Sequence, residues 1–247
     1  MASTDFVDPY LDPTTGLLRN KVGATTQVAL DQAEGDLVLP RLVELYEAPV
    51  AAPTGTLDEL REIHRHPFQG VYDWAGEVRT VDIRKPGPDA QPFLAVSRIE
   101  GAAQYVHDEL KADRFLSGLE REPFVERLAH HYDQLNYLHP FREGNGRAQR
   151  VFLTQLAEHA GWQLDWRGVS GTENDVACRA GAEDFDLAPL RSLLDRVVVG
   201  RTEDLEARSG AQRARAAFGH RSPQASSGNR SDRIPRRIRA ASPEIER

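Results

Sequence analysis

The feature that most limits how this chain can fold is a pair of helical apolar patterns joined through a glycine turn. From Glu122 to Leu138, the residues Phe124, Leu128, Tyr132 and Leu135 recur about one turn apart and share a face. A second pattern starts near Gly146, turns Phe152, Leu153 and Leu156 inward, and ends at Gly161, where glycine readily takes the left-handed conformation of a helix cap. His139 therefore ends one helix, and Gly144-Asn145-Gly146 opens the next.

Most of the remaining patterns are helical as well. Thr25 or Thr26 can N-cap a helix running towards Glu34, and a second pattern follows at Leu37, Val38, Leu42, Val43 and Leu45. Pro40 is expected to kink or restart the helix there, because it lacks an amide hydrogen and crowds the preceding turn. Pro49, Pro53 and Gly55 mark a loop, after which Thr56 to Arg65 reads as helix. Helical spacing returns over Ser97 to Asp113, Gly171 to Ala182 and Leu187 to Val199. The stretch from Gly76 to Leu94 differs. Val78, Thr80, Val81 and Ile83 favour strand and Pro86-Gly87-Pro88 favours a turn, which predicts one short β-hairpin. The expected class is all-α, mainly helical: a helical bundle core with a single hairpin.

The chain divides into a helical N-terminal extension over residues 1–54, a core domain over 55–199 and an Arg-rich tail over 200–247. Residues 201–247 hold eleven Arg, no Lys and six Asp or Glu, with few large apolar side chains. Such a stretch buries too little surface to offset its ordering entropy, so disorder is expected. It reads as a solvated linker, a contact for nucleic acid or an acidic surface, or a charged secretion signal, and composition does not separate these.

The net charge of −7 is uneven: the tail carries +5, leaving −12 on the other 200 residues. A core this acidic is a poor partner for nucleic acid. The start, MASTDFVDPY, has neither the basic nor the apolar region of a signal peptide, and no apolar run approaches the roughly 18 residues of a membrane helix. A cytoplasmic setting without membrane partners is expected, with export lacking a cleaved signal left open. Cys178 stands alone, so no intrachain disulfide forms, and a small buried hydrophobe is its expected role.

The chemistry concentrates in His139-Pro140-Phe141-Arg142-Glu143-Gly144-Asn145-Gly146-Arg147-Ala148-Gln149-Arg150. A helix N-terminus offers unpaired amides and a positive dipole end, and two glycines let a phosphate approach them closely. Arg147 and Arg150, three apart on that helix, can add charge-assisted forks to further phosphate oxygens. Glu143 repels bare phosphate but makes sense with a hard cation such as Mg²⁺ between the two. His139 can take a proton from an attacking hydroxyl near neutral pH. A base, a metal carboxylate, an anion hole and two arginines together describe transfer from a nucleoside polyphosphate.

These residues resemble the signature of the Fic (Fido) family, His-x-Phe-x-Asp/Glu-Gly-Asn-Gly-x-x-x-Arg in loose form. Phe68-Gln69-Gly70-Val71-Tyr72-Asp73-Trp74-Ala75-Gly76-Glu77-Val78-Arg79-Thr80 is similar to the family's lead into its hairpin "flap", and Asn20-Lys21-Val22-Gly23 and Asp165-Trp166 are also familiar. The likeness spans roughly residues 9–198 and implies a Fido domain over 55–199.

The resemblance implies a protein adenylyltransferase that moves AMP from ATP to a Ser, Thr or Tyr hydroxyl of a target protein, releasing pyrophosphate. His139 would be the general base, Phe141 would hold the loop from the core, and Glu143 would carry Mg²⁺ on the α- and β-phosphates. Gly144, Asn145 and Gly146 would form the anion hole, with Asn145 also bonding phosphate. Arg147 would meet the β-phosphate region and Arg150 the γ-phosphate. The target backbone would dock on the flap near Glu77–Lys85. Related outcomes are UMP transfer, phosphate transfer and a catalytically silent binding module. Phosphorylating members carry Lys where Gly146 stands, and the intact motif speaks against a silent module.

Many members are restrained by a Ser/Thr-x-x-x-Glu-Gly/Asn helix. The nearest string here, Leu30-Asp31-Gln32-Ala33-Glu34-Gly35, lacks the Ser/Thr. The resemblance then implies a separate small antitoxin-like partner, or no such restraint. His130-His131, with His139 eight residues on, does not match a usual zinc spacing and has no cysteine pair beside it. His64 and His66 read as ordinary core or surface histidines, and Trp74, Trp162 and Trp166 as core.

Overall fold

The computed structural model describes residues 8–48, 53–84 and 91–201. Seven α-helices carry the described chain: α1 (Gln27–Glu47), α2 (Leu57–Phe68), α3 (Ile99–Ala112), α4 (Arg121–Leu138), α5 (Asn145–His159), α6 (Gly171–Arg179) and α7 (Ala188–Val197). One two-stranded antiparallel sheet pairs β1 (Trp162–Leu164) with β2 (Val198–Arg201).

Helix α5 is the axis of the molecule. Ala148, Val151, Phe152, Leu153, Leu156 and Ala157 are all buried, and they leave it no solvent-facing stripe of ordinary width. Helices α1, α2 and α4 and strand β1 pack around it, while α6 and α7 extend the bundle behind α4. The buried amide and hydroxyl side chains in the middle of this helix find partners. Gln149 Nε2 donates to Leu135 O at 3.0 Å, Gln155 Nε2 to Leu45 O at 3.3 Å, and Thr154 Oγ1 to Arg150 O at 2.8 Å. Without them each buried group would cost about 1–3 kcal/mol.

Local signals set the helix starts. Thr26 caps α1 by accepting from the Ala29 amide at 3.2 Å. At α2, Thr56 accepts from the Glu59 amide while Glu59 reaches back to the Thr54 and Gly55 amides at 2.7 and 2.6 Å, closing a reciprocal cap.

The structure refines three expectations. Pro40 does not restart the first helix, which runs as one helix from Gln27 to Glu47. Pro40 and Asp36, whose carbonyl it leaves without a helical partner, both face solvent, while buried Val38, Leu42 and Leu45 pin the helix on either side. The one named strand pair among the described residues is β1–β2, which was not expected, and the hairpin expected over Gly76 to Leu94 is described only at its base. Between Gly76 and Leu94 the described residues make a single antiparallel bridge, Arg84 with Pro92, plus the Phe93 amide to Ile83 O at 3.0 Å, and 85–90, with the turn and Lys85, lie outside the described residues. Helix α7 stops at Val197, and the β-branched Val198 and Val199 enter β2, which continues through Gly200 and Arg201. The disorder expected of the tail falls on 202–247, outside the described residues.

No helix among the described residues is long and apolar enough to cross a membrane. Cys178, Trp162 and Trp166 are buried as expected, and Trp74 is partly buried against the core.

Candidate active site

The loop between α4 and α5 is held from both ends and from beneath. His139 closes α4 in the left-handed conformation at φ 41°, its amide on Leu135 O at 3.2 Å. This conformation costs a non-glycine residue about 1–2 kcal/mol, so the surroundings must impose it. Arg79 supplies the force. Its side chain is fully buried, its Nε donates to His139 O at 2.9 Å, and its own amide donates to Pro140 O at 2.8 Å. The same guanidinium donates to Val81 O and Leu94 O, tying both sides of the Gly76–Leu94 segment to the loop.

The His139 ring is oriented as well. Nδ1 lies 3.1 Å from Asn136 O. A carbonyl only accepts, so Nδ1 carries the hydrogen, and in the neutral ring the lone pair falls on Nε2. Phe93 stacks on the ring with centroids 3.6 Å apart.

His64 supports the loop from below. Its ring is fully buried and stacked against Phe68 at 4.6 Å and Phe141 at 3.9 Å. The Gly76 amide donates to Nδ1 at 2.9 Å, which places the ring hydrogen on Nε2, and Nε2 donates to Glu143 O at 2.9 Å. Burial first, then the Arg147 charge, drive its pKa down to about 3, against a favourable bond to Glu143 O, so the ring is neutral. One imidazole thus links the start of the Gly76–Leu94 segment to the loop that carries Glu143.

The two glycines serve different ends. Gly144 has φ +81°, and a Cβ there would meet Phe68 at 2.5 Å. Gly146 has open space around it and is exposed. Asn145 is buried. It accepts from the Phe141 amide at 2.9 Å and donates to Phe141 O at 2.7 Å, clipping the loop upon itself. Helix α5 therefore begins at Gly144 with no side chain capping it, beside an open Gly146.

Arg147 and Arg150 are both half-buried. Arg147 lies over the Phe68 ring at 4.5 Å, bonded to Glu34 at 2.5 Å and Glu143 at 3.4 Å. Glu34 is itself buried in α1 and accepts from the Tyr72 hydroxyl. Arg150 sits over the Trp166 ring at 5.6 Å. Arg142 is bonded through Nε and an Nη to Asp8 at 3.0 and 2.8 Å. Sequence reasoning placed His139, Glu143, Gly144, Asn145, Gly146, Arg147 and Arg150 together, and the structure brings them to one loop and one helix end. It passed over Arg79 and Asp8 as site residues, read His64 only as an ordinary core or surface histidine, and noted Glu34 only for failing a motif.

A buried central helix opening on an uncapped glycine end, with an oriented histidine on the helix before it, defines the site of a mainly helical protein. Residues 54–157 match the family model described as Fic/DOC family. The chain is 39% identical over 191 residues to the protein named "Probable protein adenylyltransferase Fic" of Escherichia coli (strain K12), covering 77% of this chain and 92% of that one. It is 36% identical over 201 residues to "Protein adenylyltransferase VbhT" of Bartonella schoenbuchensis, covering 80% of this chain and 41% of that one. The crystal structure of BepC from Bartonella tribocorum, which has AMPPNP bound, shares the fold at TM-score 0.73 and 24% identity, over 78% of this chain and 97% of that one. The chain belongs to the Fic/DOC family.

Two predictions follow from the loop. Gly144→Ala is expected to lower stability by at least about 2 kcal/mol, from the left-handed backbone and the Phe68 clash, whereas Gly146→Ala, in open helical space, leaves it unchanged or slightly raised. Chemical denaturation of both variants checks this, and equal losses would contradict it.

The second prediction concerns His64. Its folded pKa lies below the ordinary 6.5, so its contribution is complete above pH 6.5. As pH falls, the unfolded chain takes up the proton and the folded chain does not, and stability drops by up to about 1.4 kcal/mol per pH unit until pH nears 3. Denaturation at pH 6.5 and pH 5 should show a steeper loss in the parent chain than in His64→Gln. Identical slopes would mean His64 is not held neutral.

Proposed function

We propose that this chain is a protein adenylyltransferase that moves AMP from ATP to a Ser, Thr or Tyr hydroxyl of a target protein and releases pyrophosphate. The observation that carries the reading is the His139 tautomer beside the open end of α5: a basic Nε2 on one side of the loop and exposed Gly146 on the other. Relatives named as protein adenylyltransferases at 39% and 36% identity support it.

In this reading the β-phosphate rests on the amides of Gly144, Asn145 and Gly146, where the helix dipole favours negative charge. The resemblance also gives Asn145 a bond to phosphate, and its two bonds to Phe141 make it first a loop clip. Arg147 faces the β-phosphate region and Arg150 holds the γ-phosphate, turning the α-phosphorus towards His139. The target hydroxyl gives its proton to Nε2 as its oxygen bonds the α-phosphorus, and the bond to the pyrophosphate oxygen breaks on the far side. Nδ1–H, bonded to Asn136 O, keeps Nε2 the acceptor throughout.

A Mg²⁺ ion fits the donor set. Arg147 stands between two carboxylates, Glu34 and Glu143, so the pocket has little net positive charge of its own. Magnesium is ordinarily held by one or two carboxylates plus substrate phosphates. Glu143, partly exposed, would hold it, and the ion would supply neutralisation of phosphate charge.

The target backbone docks along Glu77–Lys85. Residues 1–54 extend the Fido core of 55–199, and 200–247 form a tail outside it. Glu34 meets the first motif arginine, not the second, so restraint by a separate small antitoxin-like protein fits this chain. A cytoplasmic setting, with its ATP and Mg²⁺, suits the reaction.

The full chain with Mg²⁺ and α-labelled ATP is expected to label protein in a lysate. His139→Ala should lower the rate by at least about 100-fold, the scale of a lost general base, and Arg150→Ala should also lose most of it. Label transferred from γ-labelled ATP would assign phosphate transfer, and equal rates in His139→Ala would remove the proposed base.

A further inference from the structure

On the face formed by α3 and α4, away from the loop, Glu109, His130 and His131 come together. One ligand atom from each lies within 4.8 Å of the other two. His130 Nε2 is 3.0 Å from Glu109 Oε2. In a zinc site with bonds of about 2.0–2.2 Å, neighbouring ligand atoms sit roughly 3.3–3.5 Å apart, so small side-chain rotations would bring this group to that spacing. From His131 to His139 is eight residues of helix, about 12 Å, which separates this cluster from the catalytic base.

A second observation concerns His131. Its ring is fully buried, Nε2 is 2.7 Å from Asp113 Oδ2, and Nδ1 is buried with no hydrogen-bond partner. Asp113, bonded also by Arg127, accepts from Nε2, so in the neutral imidazole the lone pair falls on Nδ1. A buried acceptor without a donor costs about 1–3 kcal/mol and calls for an explanation, and a cation supplies one.

The surroundings match what metal ligands require. Asp113 holds His131 through the nitrogen opposite the lone pair, the carboxylate–histidine support common around metals. Because Asp113 also receives Arg127, at 2.8 Å from Nε, it is occupied as a support and leaves three ligands. The Tyr105 hydroxyl donates to Glu109 Oε1 at 3.1 Å, fixing that carboxylate while Oε2 faces His130. His130 and Glu109 are 29% and 25% exposed, so an ion can enter from solvent and keep a water as fourth ligand.

We propose that Glu109, His130 and His131 form a divalent transition-metal site, with zinc the best match to two imidazoles and one carboxylate, which ties α3 to α4. The histidine pair alone lacks a recognisable spacing. The third ligand comes from a helix twenty-one residues earlier in the chain.

The test uses the full chain stripped with chelator and titrated with Zn²⁺ against a chromogenic competitor in excess Mg²⁺. One equivalent should bind. Glu109→Gln and His130→Ala should each weaken it by at least about tenfold, while His139→Ala leaves it in place. Co²⁺ in place of Zn²⁺ should give the visible bands of a four-coordinate ion, and these should vanish in Glu109→Gln, a variant of nearly unchanged shape. Absence of saturable Zn²⁺ binding overturns the proposal, as does binding that survives both Glu109→Gln and His130→Ala or is lost in His139→Ala.

Discussion

A neutral imidazole sits where two distant stretches of chain must meet. His64 accepts from the Gly76 amide and donates to the Glu143 carbonyl, packed between Phe68 and Phe141. Each contact depends on the others. Protonation would remove the acceptor that Gly76 needs, and a side chain at Gly144 would displace Phe68. The stack fixes the height of the loop above α2, and with it the start of α5. Arg79 does the same from the other side, holding the peptide of His139 and the approach of the Gly76–Leu94 segment. His139 and the helix end are therefore positioned by buried groups beneath and beside the loop.

This arrangement explains an economy in the loop. Gly146 alone keeps open space at the helix end, while Gly144 and Asn145 are consumed by building the turn. The guanidinium of Arg147 is likewise engaged, over the Phe68 ring and bracketed by carboxylates from α1 and from the loop. Preorganised groups of this kind need little rearrangement when charge develops, which is where electrostatic catalysis gains most.

Much of this was legible in the sequence. The apolar spacing of Phe124, Leu128, Tyr132 and Leu135, and of Phe152, Leu153 and Leu156, gave α4 and α5, and local caps at Thr26 and Thr56 gave helix starts. The motif residues sit next to one another in the chain, so their meeting needed no tertiary information. What escaped was non-local or context-dependent. Strands β1 and β2 are three and four residues long and pair across a 33-residue connection, too short to show a period. Pro40 was misread because its cost depends on which face of α1 meets water. His64, Arg79 and Asp8 act on the loop from 134 to 60 residues away, through bonds no spacing rule encodes.

The central claim is that a triphosphate lies on the Gly144–Gly146 end of α5 with its α-phosphorus before Nε2 of His139. A crystal structure of the full chain with a non-hydrolysable ATP analogue and Mg²⁺ tests it most directly. Phosphate oxygens are expected on those amides, with the Nδ1 bond to Asn136 intact and Nε2 turned to the innermost phosphorus. Phosphates bound elsewhere, or an imidazole rotated so that Nε2 points away from them, would contradict it.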